Sequence, residues 1–427
     1  MDQRTISTAL PGTPAQAPGL HAEPSRAALD GTQVPSLGMA FSDLERGTPE
    51  FLNRLVSAAR EHLDADIGFL CEFEGSTKVV RATSGQVHGN PVAPGTSYPL
   101  EQTYCRRVTR GELPSIVQDG RNDPRVCDLA ITRDLDIGTY IGVPVELPDG
   151  SLYGTLCCIS HEVDRSIHER DVKFMRVLGA LIGNELGERQ AAGAARSARI
   201  ARVRSAVDNM RIVFQPIVEL DGGEVVGMEA LARFDTDPVL TPDRWFIEAW
   251  ALGLGQEVEL AAVRAALRQR SRMPSQLYMG INASPALLQS GDLLTALRQA
   301  GGGAVLVEVT EHAVVSEYEP LMAALAACRD CGVRIAVDDF GAGYSGLSHV
   351  LRVRPQIVKL DIQLTRGIDE DSAKQALASA TVEFARRSQL DIVAEGIETE
   401  AEAAMLRDIG VRYGQGFHFG RPAPLPH

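Results

Sequence analysis

In the second half of the chain, polar residues recur where short apolar runs end. Glu229 closes the run 225–229, and Asn282 follows 278–281. Glu308 and Glu311 end a third run, Asp338 and Asp339 a fourth, and Lys359 and Asp361 a fifth. Glu395 and Glu398 end a sixth, and Gln415 the last. If these runs are parallel strands of one closed sheet, their C-terminal ends open on a single face, where loops build a site. Eight carboxylates (229, 308, 311, 338, 339, 361, 395, 398) then converge on one mouth. Packed bare, they repel and raise one another's pKa. Divalent cations relieve that repulsion, and oxygen donors without His or Cys select Mg²⁺ or Mn²⁺ over zinc. Asp338-Asp339 is the sharpest element. Neighbouring strand residues face opposite ways, so both can reach ions only where the strand ends. One of the two carboxylates could then bridge a pair of metals, an arrangement suited to attack on a phosphate ester.

The elements that must position these residues alternate. Apolar runs at 212–214, 225–229, 278–281, 305–309, 333–337, 357–360, 392–394 and 413–415 are separated by amphipathic stretches at 244–252, 258–269, 319–331, 372–388 and 400–408. That pattern predicts a parallel sheet covered by helices, closed as an α/β barrel of TIM type. The first pair, 212–219 and 224–229, departs from it as a hairpin turning at Asp221-Gly222-Gly223-Glu224. Gly341-Ala342-Gly343-Tyr344-Ser345-Gly346 fits GxGxxG, but two aspartates precede it and would repel a pyrophosphate. It is read as a flexible loop beside the metals rather than a dinucleotide site.

The first half is built differently. Residues 1–38 are rich in Pro, Gly, Ala, Ser and Thr and are expected to be disordered. A helical pattern at 51–63 precedes strand-like runs at 67–73, 78–83, 115–118, 137–147 and 152–159. A second helix begins near Ile167. This predicts an α+β domain with a central antiparallel sheet over 39–190. A helical linker follows at 191–208, and the barrel occupies 209–427. A basic stretch, Arg196, Arg199, Arg202 and Arg204, reads as a solvated helix face rather than a nucleic-acid contact.

Composition limits the partners. The 427 residues carry 56 Asp and Glu against 42 Lys and Arg, a net charge of −14. That argues against bulk neutralisation of nucleic acid and against a polybasic membrane surface. No apolar run is long enough to predict a membrane span, and no secretory signal is apparent. The seven cysteines suggest reduced thiols in a cytoplasmic protein. Cys328-Arg329-Asp330-Cys331 lacks the second pair a zinc site needs and reads as the end of a helix. Of Cys157 and Cys158, mid-strand, one is expected to face the core.

Two resemblances attach to these motifs. Tyr104-Cys105-Arg106-Arg107-Val108, Ile116-Val117-Gln118-Asp119, Asn122-Asp123-Pro124, Gly138–Val145 and Gly154-Thr155-Leu156-Cys157 resemble a GAF domain. No residue pair selects a GAF ligand, which stays unknown. The second half resembles the EAL-domain phosphodiesterases. It carries Gln215-Pro216-Ile217, Glu229-Ala230-Leu231 with Arg233, Asn282-Ala283-Ser284, Glu308-Val309-Thr310-Glu311 and Asp338–Ser345. Lys359-Leu360-Asp361, Glu395–Glu400 and Gln415-Gly416-Phe417 follow in order.

The EAL resemblance implies a TIM-type barrel that hydrolyses cyclic di-GMP to linear pGpG with Mg²⁺ or Mn²⁺ in a two-metal site. By motif, Glu229, Asn282, Glu308 and Asp338 correspond to ligands of one metal, with Asp338 and Asp339 serving the second. Glu395 corresponds to the residue holding water and metal from the far side. Lys359 corresponds to the residue that orients the attacking water and neutralises charge in the transition state, and Glu311 to the one that anchors the loop at Gly341–Ser345. Gln215, Arg233, Asp361 and Gln415 correspond to substrate contacts. The sequence departs from the family pattern at Ala232, Ala283 and the helix around 244–255, outside the metal set. A homodimer through the linker helix and barrel is expected, with a GAF sensor regulating hydrolysis. The rival expectation is a non-catalytic cyclic di-GMP receptor.

Overall fold

The computed structural model describes residues 49–85, 92–236, 239–301, 303–310, 318–340 and 346–426. The expected tail at 1–38, Glu311 and the loop 341–345 lie outside them, as does the side chain of Asp339. The chain divides into two units, Met1–Arg189 and Gln190–His427.

In the first unit, helix α1 (Pro49–His62) precedes strands β1 (Ile67–Glu74), β2 (Thr77–Ser84) and β3 (Ser97–Pro99). Helix α2 (Tyr104–Thr109), strand β4 (Ile116–Val117) and helix α3 (Ala130–Asp134) follow. Strands β5 (Thr139–Glu146) and β6 (Leu152–Ser160) complete the sheet, and helix α4 (Glu169–Asp208) closes the unit. The sheet is antiparallel, in the order β3-β2-β1-β6-β5-β4. Alternation along each strand feeds two apolar layers. Leu70, Ile141, Val143, Leu156 and Cys158 pack against α1 and the start of α4, with Leu55, Val172, Met175 and Leu178. Ile67, Phe69, Cys71, Tyr140 and Cys157 pack on the opposite face with Tyr104 and Cys105. Cys157 and Cys158 are therefore both buried, one in each layer. The expectation that one of the pair faces the core is exceeded, because this sheet is covered on both faces.

In the second unit, strands β7 (Met210–Glu219), β8 (Val225–Phe234), β9 (Tyr278–Asn282), β10 (Val305–Thr310), β11 (Arg334–Phe340), β12 (Ile357–Leu360), β13 (Asp391–Ala394) and β14 (Tyr413–Gln415) form a closed barrel. From β8 to β14 each neighbouring pair is parallel. β7 is antiparallel to both β8 and β14, so the hairpin inserts one reversed strand. Helices such as Gly255–Leu267, Tyr318–Asp330 and Ser372–Arg387 cover the outside through an apolar layer that includes Ile281, Val307, Ile335 and Leu325. Inside, Ile217, Tyr278, Leu306, Ala336, Ile357 and Val393 fill the barrel as an apolar plug.

The end of α4 packs Val203 and Ala206 against Phe234, Trp245 and Ala249. Three arginines of its basic stretch have partners within this unit. Arg199 bonds Glu248 at 2.7 and 2.9 Å, Arg202 reaches the same carboxylate at 3.3 Å, and Arg196 donates to the Leu252 carbonyl. The cysteines of the CxxC stretch are free thiols, with Cys328 buried at the end of its helix. Among the described residues no helix is long and apolar enough to cross a membrane.

Candidate active site at the barrel mouth

The strand period of two builds the site. Next to five of the six plug residues, two positions along the strand on the same inward side, stands a polar one: Gln215 beside Ile217 on β7, Glu308 above Leu306, Asp338 above Ala336, Lys359 above Ile357 and Glu395 above Val393. Above Tyr278 stands Gly280. Glu229 and Gln415 join the same layer.

Two strand ends differ from expectation. Glu229 does not end β8. Its parallel pairing with β9 stops at Glu229↔Gly280, but its antiparallel pairing with β7 continues to Met210↔Phe234. Asp338-Asp339 does not end β11 either. The ladder with β12 steps from Val337↔Val358 to Phe340↔Leu360, so β11 carries one extra residue there. Such a bulge re-aims a side chain without terminating the strand.

Lys359 is the centre of the layer, with 1% of its surface exposed. Its ammonium lies 2.5 Å from Glu308 Oε2 and 2.5 Å from Glu395 Oε1. Asp338 Oδ1 is at 3.3 Å and Glu229 Oε2 at 3.6 Å. Burial alone would lower the lysine pKa. The four carboxylates outweigh it and hold the ammonium well above its ordinary range. Glu229 is clamped on both oxygens: Asn282 Nδ2 donates to Oε1 at 2.9 Å and Gln415 Nε2 to Oε2 at 2.6 Å. Burial opposes its ionisation, but Lys359, Gln415 and Asn282 together keep its carboxyl below the usual range. Gln415 also donates to Gln215 Oε1 at 3.1 Å, and Gln215 to the Gly420 carbonyl.

The other expected residues are placed less centrally. Arg233 is half-buried and donates to the Ala232 carbonyl, and its pKa is lowered by burial and by Arg211. Asp361 accepts from the Gln363 amide at 2.7 Å and caps the helix Ile362–Thr365. Glu398 pairs with Arg366.

Glu402 was not anticipated. Its carboxylate accepts from the backbone amides of Gly367, Glu398 and Thr399 at 2.8, 2.8 and 3.1 Å. This pins the loop that carries Glu395. The signal was readable: Thr399 and Glu402 form a capping box, Thr-x-x-Glu, before an apolar helix.

Gly280 is the inward position of β9 in the polar layer. A Cβ there would stand 2.2 Å from Glu308 Oε1. Gly280→Ala is therefore expected to displace Glu308 from Lys359 and cut turnover by about 10²-fold, while the barrel stays folded. Steady-state kinetics alongside circular dichroism measures it, and unchanged kcat would remove the role given to this close approach.

Four carboxylates share one ammonium, and the excess negative charge has a consequence. Burial pushes the Glu395 carboxyl up to about 8, with Asp338 and Glu229 adding to the rise and Lys359 opposing it. Burial also raises Glu308. The folded state thus retains a proton that the unfolded chain loses near the ordinary carboxylate pKa of about 4.3. Stability from this group is complete below that value and is lost as pH rises towards about 8. In EDTA, the Tm of the full chain is expected to fall between pH 5 and pH 8, and Glu395→Gln to flatten the fall. An identical pH slope in the two proteins would contradict it.

Glu308 Oε1 and Asp338 Oδ1 are buried without a hydrogen-bond partner. Among the described residues no three His, Cys, Asp or Glu side chains are arranged to hold a metal by themselves, and the ammonium stands between the carboxylates. In donor type, however, the set is oxygen only, and one of its oxygens, Glu308 Oε1, has neither a hydrogen bond nor an ion-pair partner. It suits a hard divalent cation rather than zinc.

Comparison with known proteins agrees with this picture. The EAL-domain family model matches residues 198–422, and the GAF-domain model matches residues 48–186. Cyclic di-GMP phosphodiesterase NbdA of Pseudomonas aeruginosa is 32% identical over 230 residues, covering 51% of this chain and 29% of the relative. Oxygen sensor protein DosP of Escherichia coli is 25% identical over 406 residues, 92% of this chain and 46% of the relative. The chain thus spans less than half the length of these relatives. The solved structure of the EAL enzyme Bd1971, with cAMP and cyclic di-GMP bound, shares the fold. It has a TM-score of 0.50 and 18% identity over 84% of this chain and 91% of that one. By the family model, which matches more than half of its residues, the chain belongs to the EAL-domain family, with a GAF domain ahead of the EAL domain in the sequence.

Proposed function

We propose that the barrel hydrolyses cyclic di-GMP to linear pGpG with the help of Mg²⁺ or Mn²⁺. The observation that carries this reading is the inward polar layer. It gathers Glu229, Glu308, Asp338 and Glu395 around Lys359 and leaves the buried Glu308 Oε1 without a partner. The similarity to cyclic di-GMP phosphodiesterase NbdA supports the substrate class. Glu229, Asn282, Glu308 and Asp338 would hold one cation, with Asp338, Asp339 and Glu395 at the second. When bound, such cations supply positive charge against the phosphodiester and lower the pKa of water.

The chain's own residues do the rest. Lys359 places a fixed positive charge where the phosphorane charge develops. It also orients the attacking water, and Glu395, 2.5 Å from that lysine, would hold water and metal from the far side. Gln215, Arg233, Asp361 and Gln415 contact the substrate, and Glu311 anchors the adjoining loop. The displacement is in line: hydroxide attacks one phosphorus, the P–O bond to a ribose 3′ oxygen breaks, and pGpG leaves. In this reading residues 39–190 are a GAF sensor that regulates hydrolysis and residues 191–208 are the linker. Two chains associate along α4 and the barrel.

The test is purified full chain with cyclic di-GMP and either metal, followed by chromatography. The expected product is pGpG, suppressed by Ca²⁺, whose coordination is larger and less regular. Tight binding without turnover in both metals would instead make the protein a receptor.

A further inference from the structure

A cluster of nucleophilic side chains that this hydrolysis does not use lies in the core of the first unit. Cys71 on β1, Cys105 on α2 and Cys157 on β6 are buried together. The sulfurs of Cys105 and Cys157 are 3.7 Å apart. The Tyr140 hydroxyl lies 3.3 Å from the Cys157 sulfur and donates to the Cys105 sulfur at 3.9 Å. Gly142, the register partner of Cys157, makes this possible. A Cβ there would stand 2.1 Å from the tyrosine oxygen, so only a bare α-carbon lets that ring reach the sulfurs.

Lys78 completes the cluster. It is 1% exposed, and its ammonium lies 5.1 Å from the ring centroids of both Phe69 and Tyr98. Among the described residues no carboxylate pairs with it. The groups acting on its charge are the thiols of Cys105, Cys71 and Cys157 and the Tyr98 phenol. A buried ammonium without an anion is costly, and a thiolate is the anion at hand. A neighbouring cation favours the thiolate in turn. Cys105 is held well below the ordinary thiol range by hydrogen bonds from Cys157 and Cys71, with Lys78 adding to the effect, whereas burial pushes Cys157 up. One sulfur is thus set up as nucleophile and its neighbour as a protonated partner.

We propose that Cys105 and Cys157 are a reversible oxidation site, at which hydrogen peroxide converts the two thiols into one disulfide. The Cys105 thiolate attacks a peroxide oxygen. The O–O bond breaks, hydroxide leaves, and Cys105 becomes a sulfenic acid, oxidised by two electrons. The Cys157 sulfur then attacks the Cys105 sulfur. The S–O bond breaks, and the departing oxygen takes the Cys157 proton as water. In sum, two thiols and one peroxide give one disulfide and two waters. The sulfurs need close only from 3.7 Å to about 2.05 Å. Peroxide, about the size of two waters, reaches them through local opening of the core. The bond would tie α2 to the central strand β6. This inference is independent of the hydrolytic reading.

The test uses the reduced full chain, treated with hydrogen peroxide in its folded state, quenched in acid, alkylated under denaturing conditions and mapped by mass spectrometry. The expected product is a peptide pair joined through Cys105 and Cys157, returned to two free thiols by dithiothreitol. Cys71→Ser should leave that product intact, and Lys78→Met should slow its formation at least ten-fold at pH 7. The wild-type map needs no substitution, so a variant that fails to fold does not shield the proposal. Free Cys105 and Cys157 after peroxide, a link made to Cys71 instead, or a link seen only in guanidinium would each overturn it.

Discussion

A Lys359→Met variant is expected to lose cyclic di-GMP hydrolysis by about three orders of magnitude, equivalent to ~4 kcal/mol of transition-state stabilisation. Methionine keeps the length and apolar stem of lysine, so packing on the plug is conserved. What disappears is the ammonium that touches Glu308, Glu395, Asp338 and Glu229. Two losses combine. The developing phosphorane charge loses a fixed, desolvated counter-charge, an effect typically worth about 10²–10³ in kcat. The four carboxylates also lose the group that holds them at common range, so their geometry relaxes. The fall should sit in kcat rather than KM, because the lysine is buried beneath the mouth rather than among the expected substrate contacts. Steady-state kinetics with pGpG quantified by chromatography decides it, and a kcat within ten-fold of wild type would refute the central role. Lys359→Arg is not a rescue, since a planar guanidinium cannot present one point charge to oxygens on four strands.

Glu229→Gln should be nearly as damaging, although it changes one oxygen to nitrogen. The native carboxylate accepts on both oxygens, from Asn282 on one and Gln415 on the other, with Lys359 beside it. A glutamine amide has one acceptor and one donor end. Either orientation sets an NH₂ group against the amide donor of Asn282 or of Gln415, or against the ammonium. An unsatisfied buried donor costs about 1–3 kcal/mol. The loss of the negative charge also weakens any cation held there. The expected results are turnover below about a hundredth of wild type and a lower Tm than wild type in EDTA. Wild-type Tm in the variant would show that the clamp of two amides is not a structural fixture, and retained turnover would remove Glu229 from the reacting layer.

These two residues show what was legible before the fold was known. Glu229, Asn282, Glu308, Asp338, Lys359, Glu395 and Gln415 each stand at or next to the end of a short strand-like run, and a parallel barrel puts such positions on one face. Boundaries were harder. β8 runs five residues past Glu229 because the reversed β7 gives it a partner there, and no local signal announces the length of a neighbour. The bulge at Asp338-Asp339 is likewise a matter of register between β11 and β12 rather than of either sequence alone. Glu402 had a readable capping pattern, but its reach to Gly367 crosses 35 residues and depends on how two loops meet.

By itself, the sequence determined the class of each half, the alternation of strands and helices along the second, and the polar residues at the strand ends from which four carboxylates and one lysine are drawn together. Hydrophobic periodicity and motif spacing are local properties, and they carry that much. The tertiary structure alone decided which group became the centre. Four acidic residues far apart in the chain meet one lysine, and their protonation follows from mutual distance and burial, neither of which a linear pattern contains. The same holds in the first unit. Three cysteines separated by up to 86 positions share a core with Lys78 only because antiparallel pairing and the bare Gly142 bring them together.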